Sequence, residues 1–149
     1  MSVRMELSRV LILDSSPEQF ITLSEVGGPR SFAIKIGTAE AVAIERRWRG
    51  AEPPRPQTHE LLDSVVRSLG ARLEGIEIHD LRQGTYFANL VLRASDGSTV
   101  EVDARPSDAI ALAIAHDAPI LVEEAVVASS AEERDEIEPP FESAEEDDE

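Results

Sequence analysis

"DARPSDAIALAIAHDAPILV", residues 103–122, contains the junction that decides the fold of this chain. The segment starts at the end of a strand, and Pro106 suits the first position of a helix, where its missing N–H group costs nothing. The helix contains "AIALAIA" (109–115), which is apolar on nearly every face and therefore has to be buried. The apolar run "PILV" (119–122) then predicts a short strand. A buried helix between two strands is the expected centre of the fold.

Alternating apolar and polar residues predict six further strands on the N-terminal side of this junction. They lie at 3–13, 19–26, 31–37, 72–81, 85–94 and 98–104. Two more helices are predicted at 37–48 and 58–70, and "EEAVVAS" (123–129) predicts a last short one. This order predicts an α+β fold in one domain, with a mainly antiparallel sheet and about three helices packed on it.

The predicted helix "THELLDSVVRSLG" (58–70) has a clear apolar stripe. Its members recur at the helical period and are Leu61, Leu62, Val65, Val66 and Leu69. An apolar stripe of this kind normally faces the core of a globular protein. The sequence therefore predicts that this stripe is buried.

The acidic charge of the chain is concentrated near its C-terminal end. The formal net charge is -16, and residues 131–149 hold 11 acidic residues and one base. Such a segment buries too little apolar surface to offset its ordering entropy. We therefore predict a folded domain over 1–128 and an acidic disordered tail over 129–149. The tail serves solubility, or it repels nucleic acid or captures a basic partner.

The composition excludes several classes of protein. The chain has no cysteine, which rules out disulfides, thiolate metal sites and a cysteine nucleophile. No apolar run has the length of a membrane span, and no charged start precedes a short apolar segment. These features predict a cytoplasmic protein that does not enter a membrane.

The junction at 103–108 has a structural and a functional interpretation. In the structural one, Ser107 and Asp108 lie in the first helical turn and accept hydrogen bonds from its unpaired N–H groups. In the functional one, the helix start, Arg105 and Ser107 bind phosphate. Asp103, with Asp108 and Glu40, then holds a divalent metal ion such as Mg²⁺ or Mn²⁺ that assists phosphodiester cleavage. The sequence leaves both interpretations open.

Two other groups of residues are candidates for chemistry. His59 and Asp63 are four residues apart on one helix, which suits a general base oriented by an acid, or two ligands of a metal ion. An ordinary surface contact between the two side chains explains the same spacing. Tyr86 and Phe87 are adjacent on a strand and point to opposite faces, so one belongs to the core and the other is a candidate for stacking on a base. Packing in the core or at an interface explains both rings equally.

Four blocks of this sequence resemble the bifunctional nuclease domain family. They occur in the family's order and are "IGTAEAVAI" (36–44), "PPRPQTHELL" (53–62), "GTYFANLVL" (84–92) and "DARPSDAIALAI" (103–114). The resemblance implies a curved antiparallel sheet, homo-oligomers with a dimer favoured, and a nuclease that acts on RNA or DNA. It supplies no catalytic residues, so the candidates above rest on their chemistry.

Three functions follow from these observations. The first is a metal-assisted nuclease, as the resemblance implies. The second is a non-catalytic homo-oligomeric interaction module, and the third is a binder of an anionic small ligand near Arg105. The body of the chain is itself mildly acidic, which argues against tight binding of duplex nucleic acid.

Overall fold

The computed structural model describes the backbone of residues 1–137 and the side chains of residues 1–130. Seven strands form one sheet in the order β3-β2-β1-β7-β4-β5-β6. β4 and β7 pair in parallel, and the other neighbours are antiparallel. The strands are β1 (Ser2–Leu11), β2 (Glu18–Glu25), β3 (Ser31–Gly37), β4 (Arg72–Arg82), β5 (Thr85–Arg93), β6 (Thr99–Ala104) and β7 (Ile120–Glu123). The four helices are α1 (Thr38–Trp48), α2 (Thr58–Ser68), α3 (Pro106–His116) and α4 (Glu124–Ile137). The α+β prediction is confirmed.

One face of the sheet carries the core. Strand registers place Leu7, Leu23 and Phe32 side by side, and likewise Ile120, Ile76 and Leu90. All six are buried, because residues directly opposite each other in neighbouring strands point to the same face. The opposite face has mostly polar side chains. Among the described residues, the buried side chains are explained without any helix on that face.

The sheet is strongly curved around its helices. Phe32 on β3 stacks on Tyr86 on β5 with ring centroids 5.4 Å apart. β3 is the first strand of the sheet and β5 the last but one. Two side chains from such distant strands meet only if the sheet bends toward itself.

α3 is the central helix, as the run of small and apolar residues predicts. It packs against α1, α2, β4 and β5, and its residues 109–113 are all buried. Ile110 and Leu112 are almost completely enclosed, and burial of such a side chain contributes about 2 kcal/mol to stability. Pro106 occupies the first turn, where its lack of an N–H group is harmless.

Two sequence-based expectations about helices are wrong. First, no side chain caps the start of α3 in the described part of the chain. Ser107 and Asp108 lie in the first turn as expected. The Asp108 carboxylate, however, contacts Arg105 and His59 and does not cap the backbone N–H groups of that turn. A charge-assisted contact of this kind is stronger than an ordinary cap.

Second, the apolar stripe of α2 is exposed. Leu61, Leu62, Val65 and Leu69 are between 43% and 77% exposed, and the buried residue of this helix is Asp63. α2 turns its polar side toward α3, because Asp63 meets His116 there and His59 meets Asp108. The stripe consequently faces away from the core.

The C-terminal part of the fold is a helix held in place by an arginine. α4 continues to Ile137, beyond the domain boundary predicted at 128, and residues 138–149 of the predicted tail lie outside the described residues. Arg30 forms ion pairs with Glu25 at 3.0 Å and with Glu124 at 2.7 Å, which connects the β2–β3 hairpin to the start of α4. Within residues 1–137 no helix is both long and apolar enough to cross a membrane.

Candidate functional site

A cleft of about 570 Å³ lies where the curved sheet brings β3 close to the ends of β5 and β6. The first turn of α1 and the start of α3 close its floor. Its lining includes carboxylates, cations and aromatic rings. The lining residues that matter for the chemistry are Glu18, Lys35, Glu40, Tyr86, Phe87, Asp103, Arg105 and Ser107. A cleft that combines apolar walls with a few polar groups is the usual form of a binding site.

A chain of four ionisable side chains, Glu40, His59, Arg105 and Asp108, joins the starts of three helices beside this cleft. Arg105 makes two hydrogen bonds to Asp108, of 2.9 and 3.1 Å, and contacts Glu40 of α1 at 3.3 Å. Nε2 of His59 on α2 lies 3.4 Å from Oδ1 of Asp108, the oxygen that also accepts the hydrogen bond from Nη2 of Arg105. The guanidinium group is therefore already shared between two carboxylates.

This sharing shifts the acid–base behaviour of the pair. The hydrogen bonds to Asp108, with a smaller contribution from Glu40, raise the pKa of Arg105. Partial burial by itself raises the pKa of Asp108, but the hydrogen bonds from Arg105 and His59 outweigh it and hold that pKa below its ordinary value. Both groups stay charged at neutral pH, and the start of α3 holds a fixed ion pair.

The structure brings most of the sequence-predicted site residues together. Asp103, Glu40, Arg105 and Ser107 all line the cleft, and Asp108 lies next to it through its contacts with Arg105. Asp103 is exposed, and it makes no ion pair with any described residue. Glu40 folds back over Gly37, where a Cβ atom would come within 2.5 Å of its Oε1. Because glycine has no Cβ atom, the Glu40 carboxylate fits at this position beside Arg105.

The expected pair of His59 and Asp63 is not formed. His59 contacts Asp108, whereas Asp63 accepts a 2.7 Å hydrogen bond from Arg67 and lies 3.4 Å from Nδ1 of His116. Asp63 is buried between α2 and α3, away from the cleft residues. Its second oxygen and Nε2 of His116 are buried without hydrogen-bond partners among the described residues. This cluster fastens α2 to α3.

The three carboxylates expected to bind a metal do not converge into one group. In residues 1–137 there is no set of three or more histidine or carboxylate side chains placed to share a metal ion. Asp108 is held by Arg105 and His59, and Glu40 is held by Arg105. Asp103 is the carboxylate of this trio without a cationic partner in the described part of the chain.

Two residues of the cleft, Lys35 and Glu18, were missed at the sequence level, whereas Phe87 was already a candidate for stacking. Lys35 and Glu18 form a 3.5 Å ion pair on the β3 side of the opening, and Phe87 lies on the opposite side with the guanidinium of Arg82 5.0 Å above its ring. Phe87 and Tyr86 point to opposite faces of β5, as the strand alternation predicts, since Tyr86 stacks on Phe32 in the core. Lys35 is the single lysine of the chain, but only the curvature of the sheet brings it near Asp103.

Comparison with known proteins identifies the family. A family model described as the bifunctional nuclease domain matches residues 21–135. Uncharacterized proteins from two strains of Mycobacterium tuberculosis are 42% identical over 110 residues, which cover 74% of this chain and 65% of theirs. Bifunctional nuclease 1 of Oryza sativa subsp. indica is 27% identical over 118 residues, which cover 76% of this chain but 36% of the rice protein. Since the family model covers most of the chain, this protein belongs to the bifunctional nuclease domain family.

Proposed function

We propose that this chain is a nuclease that hydrolyses phosphodiester bonds of single-stranded RNA or DNA in the cleft beside α3. The observation that carries the proposal is the composition of that cleft. An exposed carboxylate, Asp103, shares it with two cations, Arg105 and Lys35, and with the ring of Phe87. Membership of the bifunctional nuclease domain family and the name of the rice relatives support the reaction class.

Each of these groups has a distinct role in the proposed reaction. Arg105 and Lys35 neutralise phosphate oxygens, and Ser107 in the first turn of α3 adds a hydroxyl near the partial positive charge of the helix start. Phe87 offers a ring face on which a base stacks, and the guanidinium of Arg82 lies over the same ring. Asp103 is the catalytic residue that we assign to the reacting phosphate. His59 acts through Asp108 and is a positioning residue.

The donor set suits Mg²⁺ or Mn²⁺ better than a metal that needs a complete protein cage. Mg²⁺ is commonly held by one or two carboxylates together with substrate phosphate and water. Asp103 and Glu40 are the carboxylates that would hold it here, and the ion would supply Lewis-acid stabilisation of the phosphate. Asp108 does not join them, because it does not line the cleft and both of its oxygens accept hydrogen bonds from Arg105.

The charge of the molecule favours a single strand over a duplex as substrate. Duplex binders usually present a broad basic surface. Here the cations of the cleft are few, and each already faces a carboxylate, with Lys35 near Glu18 and Arg105 between Glu40 and Asp108. A flexible single strand is able to enter the cleft and use one or two phosphate contacts together with base stacking.

The test is cleavage of labelled single-stranded RNA and DNA by purified protein with Mg²⁺ or Mn²⁺. We expect EDTA to abolish cleavage and Asp103→Asn to lower its rate on the order of a hundredfold. Glu101→Gln is the matched control, because Glu101 is an exposed acid on the same strand that does not line the cleft. Cleavage by the Asp103→Asn protein at the rate of the unaltered chain would contradict the proposal.

A non-catalytic interaction module is the second candidate. Glu40, Arg105 and Asp108 form ion pairs with one another. Such a network suits a purely structural role as well as it suits a reactive centre, and this favours the module. The same network disfavours a binder of small anions, because an incoming anion competes with two carboxylates for Arg105. Absence of cleavage on every substrate and metal, with the folded chain intact, would favour the module.

A further inference from the structure

A second cavity, of about 200 Å³, lies between α1, α3 and the loop that leads into α2. It is smaller than the roughly 300–1,000 Å³ of pockets that hold a drug-sized ligand, so it suits a group about the size of one nucleobase. Its lining combines apolar and hydrogen-bonding side chains and includes Arg46, Arg47, Glu52, Pro53, Pro54 and Glu60. It is referred to below as the α1–α2 cavity.

The α1–α2 cavity lies next to the proposed catalytic cleft. Glu40 lines the cleft, and Ala43, about one turn further along α1, lines the cavity. On α3, Ser107 lines the cleft and Ala111 the cavity. One helical turn rises about 5.4 Å, whereas a stacked strand advances about 3.4 Å per nucleotide and an extended one advances further. Neighbouring nucleotides of one strand are therefore able to occupy the two spaces.

The two spaces also share a contact between their linings. His59 lines the cavity and Arg105 lines the cleft. Both side chains contact the same oxygen of Asp108, His59 at 3.4 Å and Arg105 at 3.1 Å. A ligand that fills the cavity consequently lies beside the group that positions the main cation of the cleft.

The loop side of the cavity is apolar and stiff. Pro53 and Pro54 line it there, and the alanines at positions 43, 51 and 111 complete the apolar wall. Each proline ring fixes its own backbone φ, so this loop has few alternative conformations to lose when a ligand binds. Flat apolar walls of this kind suit the faces of a base that has left its stack.

Glu60 provides an available acceptor at the cavity. Its Oε1 accepts a 2.9 Å hydrogen bond from the backbone N–H of Gln57. Its Oε2 lies 3.8 Å from Nε of Arg47, which is beyond hydrogen-bond distance, and accepts no hydrogen bond from any described residue. The Arg47 guanidinium is itself held by the carbonyl oxygen of Ala115 at 2.8 Å. One carboxylate oxygen of Glu60 is therefore left for a ligand.

The charges of the cavity are balanced. Arg46 is exposed, and its side chain makes no ion pair or hydrogen bond within the described part of the chain. Arg46 and Arg47 are matched by two carboxylates of the lining, Glu52 and Glu60. A free phosphate is attracted by an excess of positive charge, which this cavity does not have. A neutral group that presents both donors and acceptors fits the set better.

We propose that the α1–α2 cavity binds a guanine base next to the phosphodiester bond held in the cleft. This inference rests on the proposed nuclease function and specifies its substrate. Guanine presents two adjacent donors, N1–H and N2–H, which match the carboxylate of Glu60. It also presents the acceptors O6 and N7, to which arginine commonly donates, and Arg46 is the donor here. The other bases lack two adjacent N–H donors on one edge, so the chain prefers cleavage sites beside guanine.

Binding of the four ribonucleoside monophosphates to the full chain, measured by isothermal titration calorimetry, tests the cavity. These ligands contain no phosphodiester bond, so the result does not depend on cleavage. We expect the guanine nucleotide to bind about tenfold more tightly than the other three. Glu60→Gln should remove this preference, because an amide matches the two donors of guanine poorly, while glutamine still caps α2. Glu45→Gln, on α1 outside the cavity, is the matched control.

A second pair of variants tests the donor. Arg46→Gln should weaken binding of the guanine nucleotide severalfold, whereas Arg49→Gln, in the same basic segment but paired with Glu45 outside the cavity, should not. Circular dichroism establishes that each variant is folded. Sites of cleavage mapped on single-stranded RNA should lie beside guanine and lose that preference with Glu60→Gln.

Three results would overturn the guanine site. They are no measurable binding, equal affinity for all four nucleotides, and a preference for guanine that Glu60→Gln leaves unchanged. Equal affinities that all fall with Arg46→Gln would mean that the cavity recognises the phosphate alone. Preferential binding of the guanine nucleotide by a chain that cleaves no substrate would support the site and contradict the nuclease, so the two proposals fail separately.

Discussion

At the scale of single residues, Asp108 determines how strongly Arg105 attracts an anion. The carboxylate makes two hydrogen bonds to the guanidinium and blocks part of its donor set. A phosphate at this position has to compete with that fixed, intramolecular partner. If the cleft binds nucleic acid as proposed, Asp108 lowers that affinity, and it also connects α2 to α3 through His59.

Asp108→Asn is expected to separate these two effects. Loss of the negative charge should increase the affinity for a single-stranded oligonucleotide severalfold and lower the free energy of unfolding by about 1 kcal/mol. Fluorescence anisotropy measures the first quantity and urea unfolding the second. Glu101→Gln removes one charge from the neighbouring strand outside the cleft and serves as control. Equal gains in affinity for both variants would mean that only net charge matters.

Asp63 illustrates a different use of a carboxylate. It is 4% exposed and contacts both Arg67 and His116, so its replacement by alanine leaves the half-buried His116 without its acid. We expect Asp63→Ala to lower the free energy of unfolding by about 2 kcal/mol, because a buried carboxylate loses its contacts to both partners. Urea unfolding compared with Ser64→Ala, an exposed neighbour, provides the measurement. A loss no greater than that of the control would refute the structural role of Asp63.

At the scale of elements, Arg30 fixes the start of α4 to the β2–β3 hairpin. Its hydrogen bonds lower the pKa values of Glu25 and Glu124 below the ordinary glutamate value of 4.5. A carboxylate with a lowered pKa in the folded state contributes stability above its unfolded pKa and loses that contribution as the pH falls through the folded value. The contribution of this ion-pair group is therefore present at neutral pH and disappears in acid.

Arg30→Gln should test this pH dependence. We expect the variant to be less stable than the unaltered chain at pH 7, with faster hydrogen exchange at the start of α4. The difference in unfolding midpoint should shrink as the pH falls from the ordinary glutamate value of 4.5 through the lowered folded-state pKa values, because Glu25 and Glu124 are then protonated and lose their attraction to Arg30. Arg4→Gln, an exposed arginine on β1, is the control. A difference that is independent of pH would show that the two glutamates do not carry the effect.

The elements themselves could largely be predicted from the sequence, because strand alternation and the apolar run of α3 are local signals. The partners of those elements could not. The period of α2 indicates an apolar stripe but not what covers it, and Asp63, the buried residue of that helix, looked like a surface acid. Arg105, Ser107, Asp103 and Glu40 were predicted from local chemistry. Lys35 and Phe87 join them only through the curvature of the whole sheet.

At the scale of the whole molecule, the charge distribution limits how the proposed nucleic-acid substrate would bind. The chain carries a net charge of -16, and the cations that line the cleft are Lys35 and Arg105. Each of the two is already close to a carboxylate, Lys35 to Glu18 and Arg105 to Glu40 and Asp108. A low affinity that depends weakly on salt is therefore expected.

The salt dependence of binding measures how many phosphate groups the cleft neutralises. Each phosphate neutralised on a single strand contributes about -0.7 to the slope of log K against log salt, so Lys35 and Arg105 together predict a slope of about -1.4. Anisotropy titrations at several NaCl concentrations, with the Asp103→Asn change to suppress cleavage, measure it. Lys35→Gln should reduce the slope to about -0.7, and Arg9→Gln, on β1, should leave it unchanged. A slope steeper than about -4 would mean that the strand follows another surface. A slope near zero would mean that stacking on Phe87, and not phosphate contact, holds the strand.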